Sequence, residues 1–427
     1  MTTILIIIFV IGYAAIALEH NLKINKTASA LITGVLLWTV YILFNADKHG
    51  VNESLTHHLG DISSILFFLM GAMTIVELID SYNGFEVITE KISSTNKKTL
   101  IWILGFLTFF MSSILDNLTT TIVMVALLRK LIKDPETRLL YVGIVVIAAN
   151  AGGAWTPIGD VTTTMLWIGG QISTGNIMAK LIFPSLVSLV IPLFAVSLRL
   201  NGNVERPLLA TEAYSNLSKK QQQFILLLGV GMLIMVPIFK SITHLPPFMG
   251  MMLGVSILWI ITEIMHRHHV DGANKRFGRN LVEVLGRIDL PSILFFLGIL
   301  LAIAALETSG LLGHLAQYMN DKIHNTNIIV ITIGLVSSII DNVPLVAATQ
   351  GMYSLTQYPM DSYIWEFLAY CAGTGGSILI IGSAAGVAAM GMEKINFFWY
   401  VKKVSWLALI GYFAGAFAYI LQHSLFH

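Results

Sequence analysis

The sequence holds a single cysteine, Cys371, among 427 residues, which excludes an internal disulfide and any cysteine-based metal site. Charge is nearly as scarce. Asp, Glu, Lys and Arg make up 11% of the chain, against about 25% in soluble domains. Seven stretches carry none of the four: Met1–Leu18, Thr27–Ala46, Leu139–Gly159, Val161–Ala179, Ser241–Thr262, Phe367–Met392 and Val404–His427. A helix needs about 20 mostly apolar residues to cross the ~30 Å hydrocarbon layer. So many such runs cannot all be core helices of one water-soluble domain, and with 56% hydrophobic residues the chain reads as an all-α polytopic membrane protein. The first run lacks a basic leader and a small-residue cleavage site before Glu19-His20-Asn21, so it reads as a span and not a signal peptide. A net charge of +1 identifies no partner; the bilayer is one, and no nucleic acid is expected.

Spans are expected at about 2–18, 27–45, 62–80, 138–170 (broken), 177–199, 222–240, 246–265, 290–308, 361–392 (broken) and 396–424. Segments 99–131 and 326–357 are expected to be re-entrant helical hairpins. After Asp116 only Asn117–Leu128 are free of charge before Arg129-Lys130, and that length makes about 18 Å of helix, too short to span. This topology gathers 21 of the 25 basic residues, Lys26 among them, into the connections 19–26, 81–98, 129–138, 199–221, 266–289 and 393–403. By the positive-inside rule these face the cytoplasm of a cell (inner) membrane, and both termini lie on the other side.

The chain also repeats itself. SSILDN at 112–117 returns as SSIIDN at 337–342, DISSILFFLMG at 61–71 as DLPSILFFLGI at 289–299, and NAGGAWTPIG at 150–159, more weakly, as GTGGSILIIG at 373–382. Residues 1–200 and 221–427 therefore read as two copies of one unit, joined by a cytoplasmic linker at 201–220. Five crossings per copy insert the second copy upside down. Inverted-topology repeats with interrupted helices mark secondary transporters, whose sites lie near the midplane between the repeats.

Irregular backbone at membrane depth survives only when covered by protein or lining a wet cavity. The tips at Asp116-Asn117 and Asp341-Asn342 should thus face an interior site, with Ser112 and Ser337 one helical turn back on the same face. Asp and Asn also cap helices well. Yet an ionised Asp at depth costs about 2.5–3.5 kcal/mol on the insertion scale, and serine would cap without that cost. The glycines of the two broken helices, Gly152 and Gly153 with Gly375 and Gly376, are expected to free carbonyls beside each tip, or to allow close helix packing. Asp160, with Asn150, Thr162 and Thr163, adds a third buried carboxylate, whose counterpart is about Ser383. All of these are oxygen ligands, suited to a hard cation such as Na+ at Asp116, Asn117, Asp341 and Asn342. Glu77, Asp80 and Glu307 read as solvated span ends, and His57-His58 and HRHHV at 266–270 as loops.

With up to three carboxylates and no lysine or arginine expected at depth, the cargo should be a cation. A carboxylate that holds H+ or Na+, but not both, couples the two flows by competition. The tandem SSxxDN motifs, NAGGAWTPIGD followed by TTT, and the two-fold repeat resemble the NhaD-type Na+/H+ antiporters of the ion transporter superfamily, over essentially the whole chain. The resemblance implies a homodimer with separate scaffold and transport parts, elevator-like alternating access, and exchange of Na+ or Li+ for H+ without a cofactor. It points to Ser112, Asp116, Asn117, Asn150, Asp160, Thr162, Thr163, Ser337, Asp341 and Asn342. The alternative on the same scaffold is a sodium-coupled symporter of a small anion or dicarboxylate. No nucleophile–base pair is visible at depth, so no enzyme is expected.

Overall fold

Helix starts in this chain are set largely by Asn, Asp and Ser caps. Asn25, Asp47, Asn96, Asp134 and Asp289 each accept a backbone N–H of the following turn, and Ser218 forms a reciprocal capping box with Gln221. The computed structural model describes residues 1–17, 19–89, 91–207, 218–270 and 281–426. Part of the expected linker, 208–217, and the loop carrying Lys275, Arg276 and Arg279 lie outside the described residues.

The principal helices are α1 (Thr2–Ala17), α2 (Lys26–Phe44), α3 (Lys48–Ser81), α4 (Lys97–Leu115), α5 (Asn117–Leu131), α6 (Pro135–Gly153), α7 (Val161–Ile168) and α8 (Thr174–Ser197). Then follow α9 (Lys219–Thr243), α10 (Pro247–Val270), α11 (Leu290–Thr308), α12 (Leu311–Ile323), α13 (Thr326–Val336), α14 (Asn342–Met352), α15 (Tyr363–Gly375), α16 (Ala384–Glu393) and α17 (Trp406–Phe426). Among the described residues there is one isolated β-bridge, Asn96 to Asn203, and no strand. Eight helical segments are long and apolar enough to cross a membrane, and this is a multi-pass membrane protein. The chain breaks where expected, at 154–160 and at 376–383.

Three expectations need correction. The connection before residue 62 is helical, because α3 starts at Lys48 and runs 34 residues, about 50 Å. Val51 and Leu55 continue its apolar face, so His57 and His58 lie on helix, and His58 Nε2 is 3.1 Å from Thr308 Oγ1. HRHHV is no loop either, since α10 continues to Val270.

The helices pack as two bundles. The first holds α1, α2, α3, α9, α10 and α11; the second holds α4–α8 and α13–α17. Each draws on both halves of the chain, and the two meet mainly where α14 lies against α11, with smaller contacts of α7 on α3 and α4 on α9. In the first bundle α2 and α11 cross backbone to backbone at Ala30, Gly34, Gly298 and Ala302. A Cβ on Gly34 would fall 2.6 Å from the Gly298 oxygen, and one on Gly298 would fall 2.5 Å from Ala30. Small residues four apart allow this approach where lipid supplies no hydrophobic drive. Trp38 Nε1 donating to Leu301 O and Tyr41 OH donating to Thr308 O tie the same pair. In the second bundle Glu393, 5% exposed, ends α16 by accepting from Arg129 of α5 and Arg138 of α6.

Gly298→Leu should therefore force α2 from α11 and cost about 1–3 kcal/mol, read as a lowered unfolding midpoint in detergent. Gly231→Ala, which meets open space, should stay within about 1 kcal/mol of the parent.

Candidate functional site

The α4–α5 junction is one residue, Asp116, at φ 73° and ψ 160°. Only glycine enters that region freely, and another residue held there costs of order 1–3 kcal/mol. Its carboxylate secures the start of α5, with Oδ1 accepting from Thr119 N at 2.8 Å and Oδ2 from Thr119 Oγ1 at 2.9 Å. The corresponding Asp341 has an ordinary extended backbone (φ −44°, ψ 137°) and caps α14 more loosely, with Val343 N at 3.5 Å. Both aspartates are half-buried. The two junctions share a sequence but not a backbone conformation.

The asparagines beside them converge. Asp160 caps α7 at the end of the first break and is 1% exposed. Its Oδ1 accepts from Thr162 N and Thr162 Oγ1, both at 2.8 Å. Its Oδ2 accepts from Asn117 Nδ2 at 2.5 Å and from Asn342 Nδ2 at 3.5 Å. The amides that follow the two motif aspartates thus meet at one carboxylate oxygen, one from each half of the chain. Asn150 completes the cluster, with Oδ1 3.4 Å from Asn117 Nδ2 and Nδ2 donating to Ser383 Oγ at 3.1 Å. Thr163 bonds the Asp160 carbonyl.

Ser383 is to α16 what Asp160 is to α7, a cap with nearly the same backbone (φ −145°, ψ 155° against −146°, 148°). One half presents a carboxylate at this point and the other a hydroxyl. Ser112 and Ser337 do not turn to the carboxylates. Ser112 Oγ donates to Ala149 O at 2.6 Å, tying its arm to a broken helix, whereas the Ser337 hydroxyl is shared between Gly334 O of its own arm at 2.7 Å and Ala372 O of the broken helix at 3.2 Å. The glycines do the same by proximity. A Cβ on Gly152 would lie 2.1 Å from Phe109 O, and one on Gly375 2.0 Å from Gly334 O. Gly153 and Gly376 face the opposite rims of their breaks, at Gly159 and Gly382.

Two features escaped the sequence reading. Lys26, expected among the loop cations, is the first residue of α2, and its Nζ lies 4.0 Å from Asp341 Oδ2. The expectation of no basic group at the site is therefore corrected at Asp341: a four-carbon stem carries the charge well beyond its backbone. Thr120 and Thr121, near the start of α5, are fully buried with hydroxyls that bond no group among the described residues. The run Thr119-Thr120-Thr121 in an apolar segment was the available clue. Among the described residues no three Asp, Glu, His or Cys side chains converge as metal ligands. A cation here would be held by single carboxylates, amides, hydroxyls and carbonyls, as suits a hard ion.

A protein-family model described as "Citrate transporter" matches residues 4–373. Sodium/proton antiporter 1 of Arabidopsis thaliana is 51% identical over 423 residues, covering 98% of this chain and 72% of that protein. Sodium/proton antiporter 2 of the same plant is 48% identical over 421 residues, covering 98% of this chain and 99% of its own. Na(+)/H(+) antiporter NhaD of Alkalimonas amylolytica is 30% identical over 452 residues, 99% of this chain and 91% of that protein. The likeness to these relatives covers 98–99% of the chain, and the chain belongs to the NhaD-type Na+/H+ antiporter family.

Proposed function

We propose that this protein is a secondary transporter that exchanges Na+, and Li+, for H+ by alternating access, with ion and proton competing for Asp160, Asp116 and Asp341. The observation that carries the reading is the single Asp160 oxygen reached by both motif asparagines. Every donor bonded to Asp160 is neutral, so the anion is solvated by protein but not neutralised. A proton or a sodium ion would complete it, and each excludes the other. The names of the Arabidopsis and Alkalimonas relatives agree with this cargo.

The two bundles suit a transport part that moves against a scaffold, with α4–α5 and α13–α14 as re-entrant hairpins in two inverted repeats. Matched contacts support the repeat: Ser112 with Ala149 and Ser337 with Ala372, Gly152 with Phe109 and Gly375 with Gly334. We place both termini on the non-cytoplasmic side of the cell membrane, from the loop charges, and take the homodimer from the family resemblance. The family model's description names citrate. A polyanion at this site would face Asp116 and Asp160, neither of which has a lysine or arginine partner among the described residues, and we rank anion symport second.

In everted vesicles, Na+ and Li+ should dissipate a preformed ΔpH and citrate should not; dissipation by citrate with Na+, and none by Na+ alone, would overturn the reading. Asp160→Ser copies the cap used by the second half, so the protein should fold while exchange falls at least about tenfold. Asp116→Asn keeps a capping oxygen and tolerance of positive φ, so its unfolding midpoint should move by less than about 1 kcal/mol equivalent. Its Na+-driven exchange should still be lost; activity near that of the parent would remove this carboxylate from the exchange.

A further inference from the structure

Lys26 is held in place entirely by the first bundle. Asn25 caps its helix, Glu19 Oε1 accepts its backbone N–H at 3.2 Å, and the neighbouring Thr27 hydroxyl bonds Pro291 O at the foot of α11. The ammonium stands 4.6 Å from the centre of the Phe295 ring, also on α11, where the ring face favours a cation. From there it crosses to the second bundle, 4.0 Å from Asp341 Oδ2. The lysine side chain is 26% exposed and the aspartate 16%, a partly desolvated pair. Asp116 and Asp160 have no such partner among the described residues.

A second lysine also bridges the bundles. Lys240 of α9 donates to the Trp167 carbonyl at the end of α7, at 2.8 Å, and lies over the same indole. That acceptor is a neutral peptide carbonyl outside the proposed cargo groups, so neutralising an aspartate leaves it unchanged. The bond of Lys26 differs, since its acceptor is one of the proposed cargo groups.

Resting on the antiport reading, we propose that Lys26 is a tethered counter-ion that occupies Asp341 when neither Na+ nor H+ is bound there, and that this pair holds the two bundles together in the empty carrier. Either cargo neutralises Asp341, removes the attraction and frees the bundles to slide. An exchanger needs this rule: both loaded forms move and the empty form does not, because movement of the empty form would let Na+ run down its gradient without proton return. Lys26 is a positioning residue in this scheme. It touches no transported ion, and it acts by competing for the carboxylate.

The test uses the chain's own lack of thiols, since the one cysteine, Cys371, is fully buried. Purified full-length protein is reconstituted in liposomes loaded with radiolabelled Na+, with the membrane potential clamped. Net Na+ efflux into Na+-free medium at alkaline pH and the apparent KM for Na+ in Na+/H+ exchange are both measured. Lys26→Cys should lower that KM by about fivefold, because a competitor that masked most of the sites is gone, and should raise the uncoupled efflux by a similar factor. An aminoethyl methanethiosulfonate, which restores an ammonium on a stem of similar length, should reverse both changes, and a neutral methyl reagent should not. Lys26→Arg keeps the charge and should hold KM within about twofold of the wild type. Equal rescue by both reagents, an unchanged KM and efflux in Lys26→Cys, or a fivefold fall in Lys26→Arg would each overturn the lock while leaving antiport intact. Absence of Na+/H+ exchange in the wild type would instead overturn the antiport reading on which the lock rests.

Discussion

One buried carboxylate, satisfied but not neutralised, organises the middle of this molecule. Asp160 accepts from a backbone N–H, a threonine hydroxyl and two asparagine amides, all uncharged. Hydrogen bonds to a charged group contribute about 1.5–3 kcal/mol each. That is enough to offset an ionised aspartate at membrane depth, which costs about 2.5–3.5 kcal/mol on the insertion scale. The protein can therefore hold the anion, and what is left over is a charge that a small cation can remove. Arginine in place of either asparagine would have closed that option.

The supply of those donors explains much of the surrounding architecture. Asn117 and Asn342 come from opposite halves of the chain and must reach the same oxygen, so each follows a helix break tied to its neighbours. Ser112 and Ser337 bond carbonyls of the broken helices, and Gly152 and Gly375 let those backbones approach. The halves are matched in these contacts and unmatched in chemistry. Asp160 holds the cap position that Ser383 holds in the other half, Asp116 is strained where Asp341 is not, and of the three aspartates Asp341 alone meets a lysine among the described residues. On the proposed exchange, ion and proton would meet three aspartates in three environments.

Much of this was legible in the order of residues. Charge-free runs separate the crossings, SSxxDN recurs, and glycines cluster at 152–153 and 375–376, where the helices break. Those features depend on local chain chemistry and on period. The shortfalls arise where contacts are distant. Residues 48–61 carry His, Asn and Glu and read as a loop, but an apolar face of Val51 and Leu55 makes them helix. Ser112 and Ser337 share a face with their aspartates, and a helical wheel cannot tell that their hydroxyls turn to a neighbouring carbonyl. Lys26 counts as a loop charge in any tally of sidedness; only packing of α2 on α11 shows how far its ammonium reaches. The meeting of Asn117 and Asn342 at Asp160 has no signature in a linear motif, because it joins side chains from two halves of the chain.

Competition for one buried carboxylate system is most directly tested by counting protons on ion binding. Purified protein in weakly buffered detergent solution, near the pH of half-protonation, is titrated with NaCl while a pH indicator is followed, with choline chloride as the reference. The account predicts that Na+ acidifies the solution saturably and that the release disappears in a protein lacking the Asp160, Asp116 and Asp341 carboxylates. Saturable Na+ binding with no proton released at any pH would contradict it.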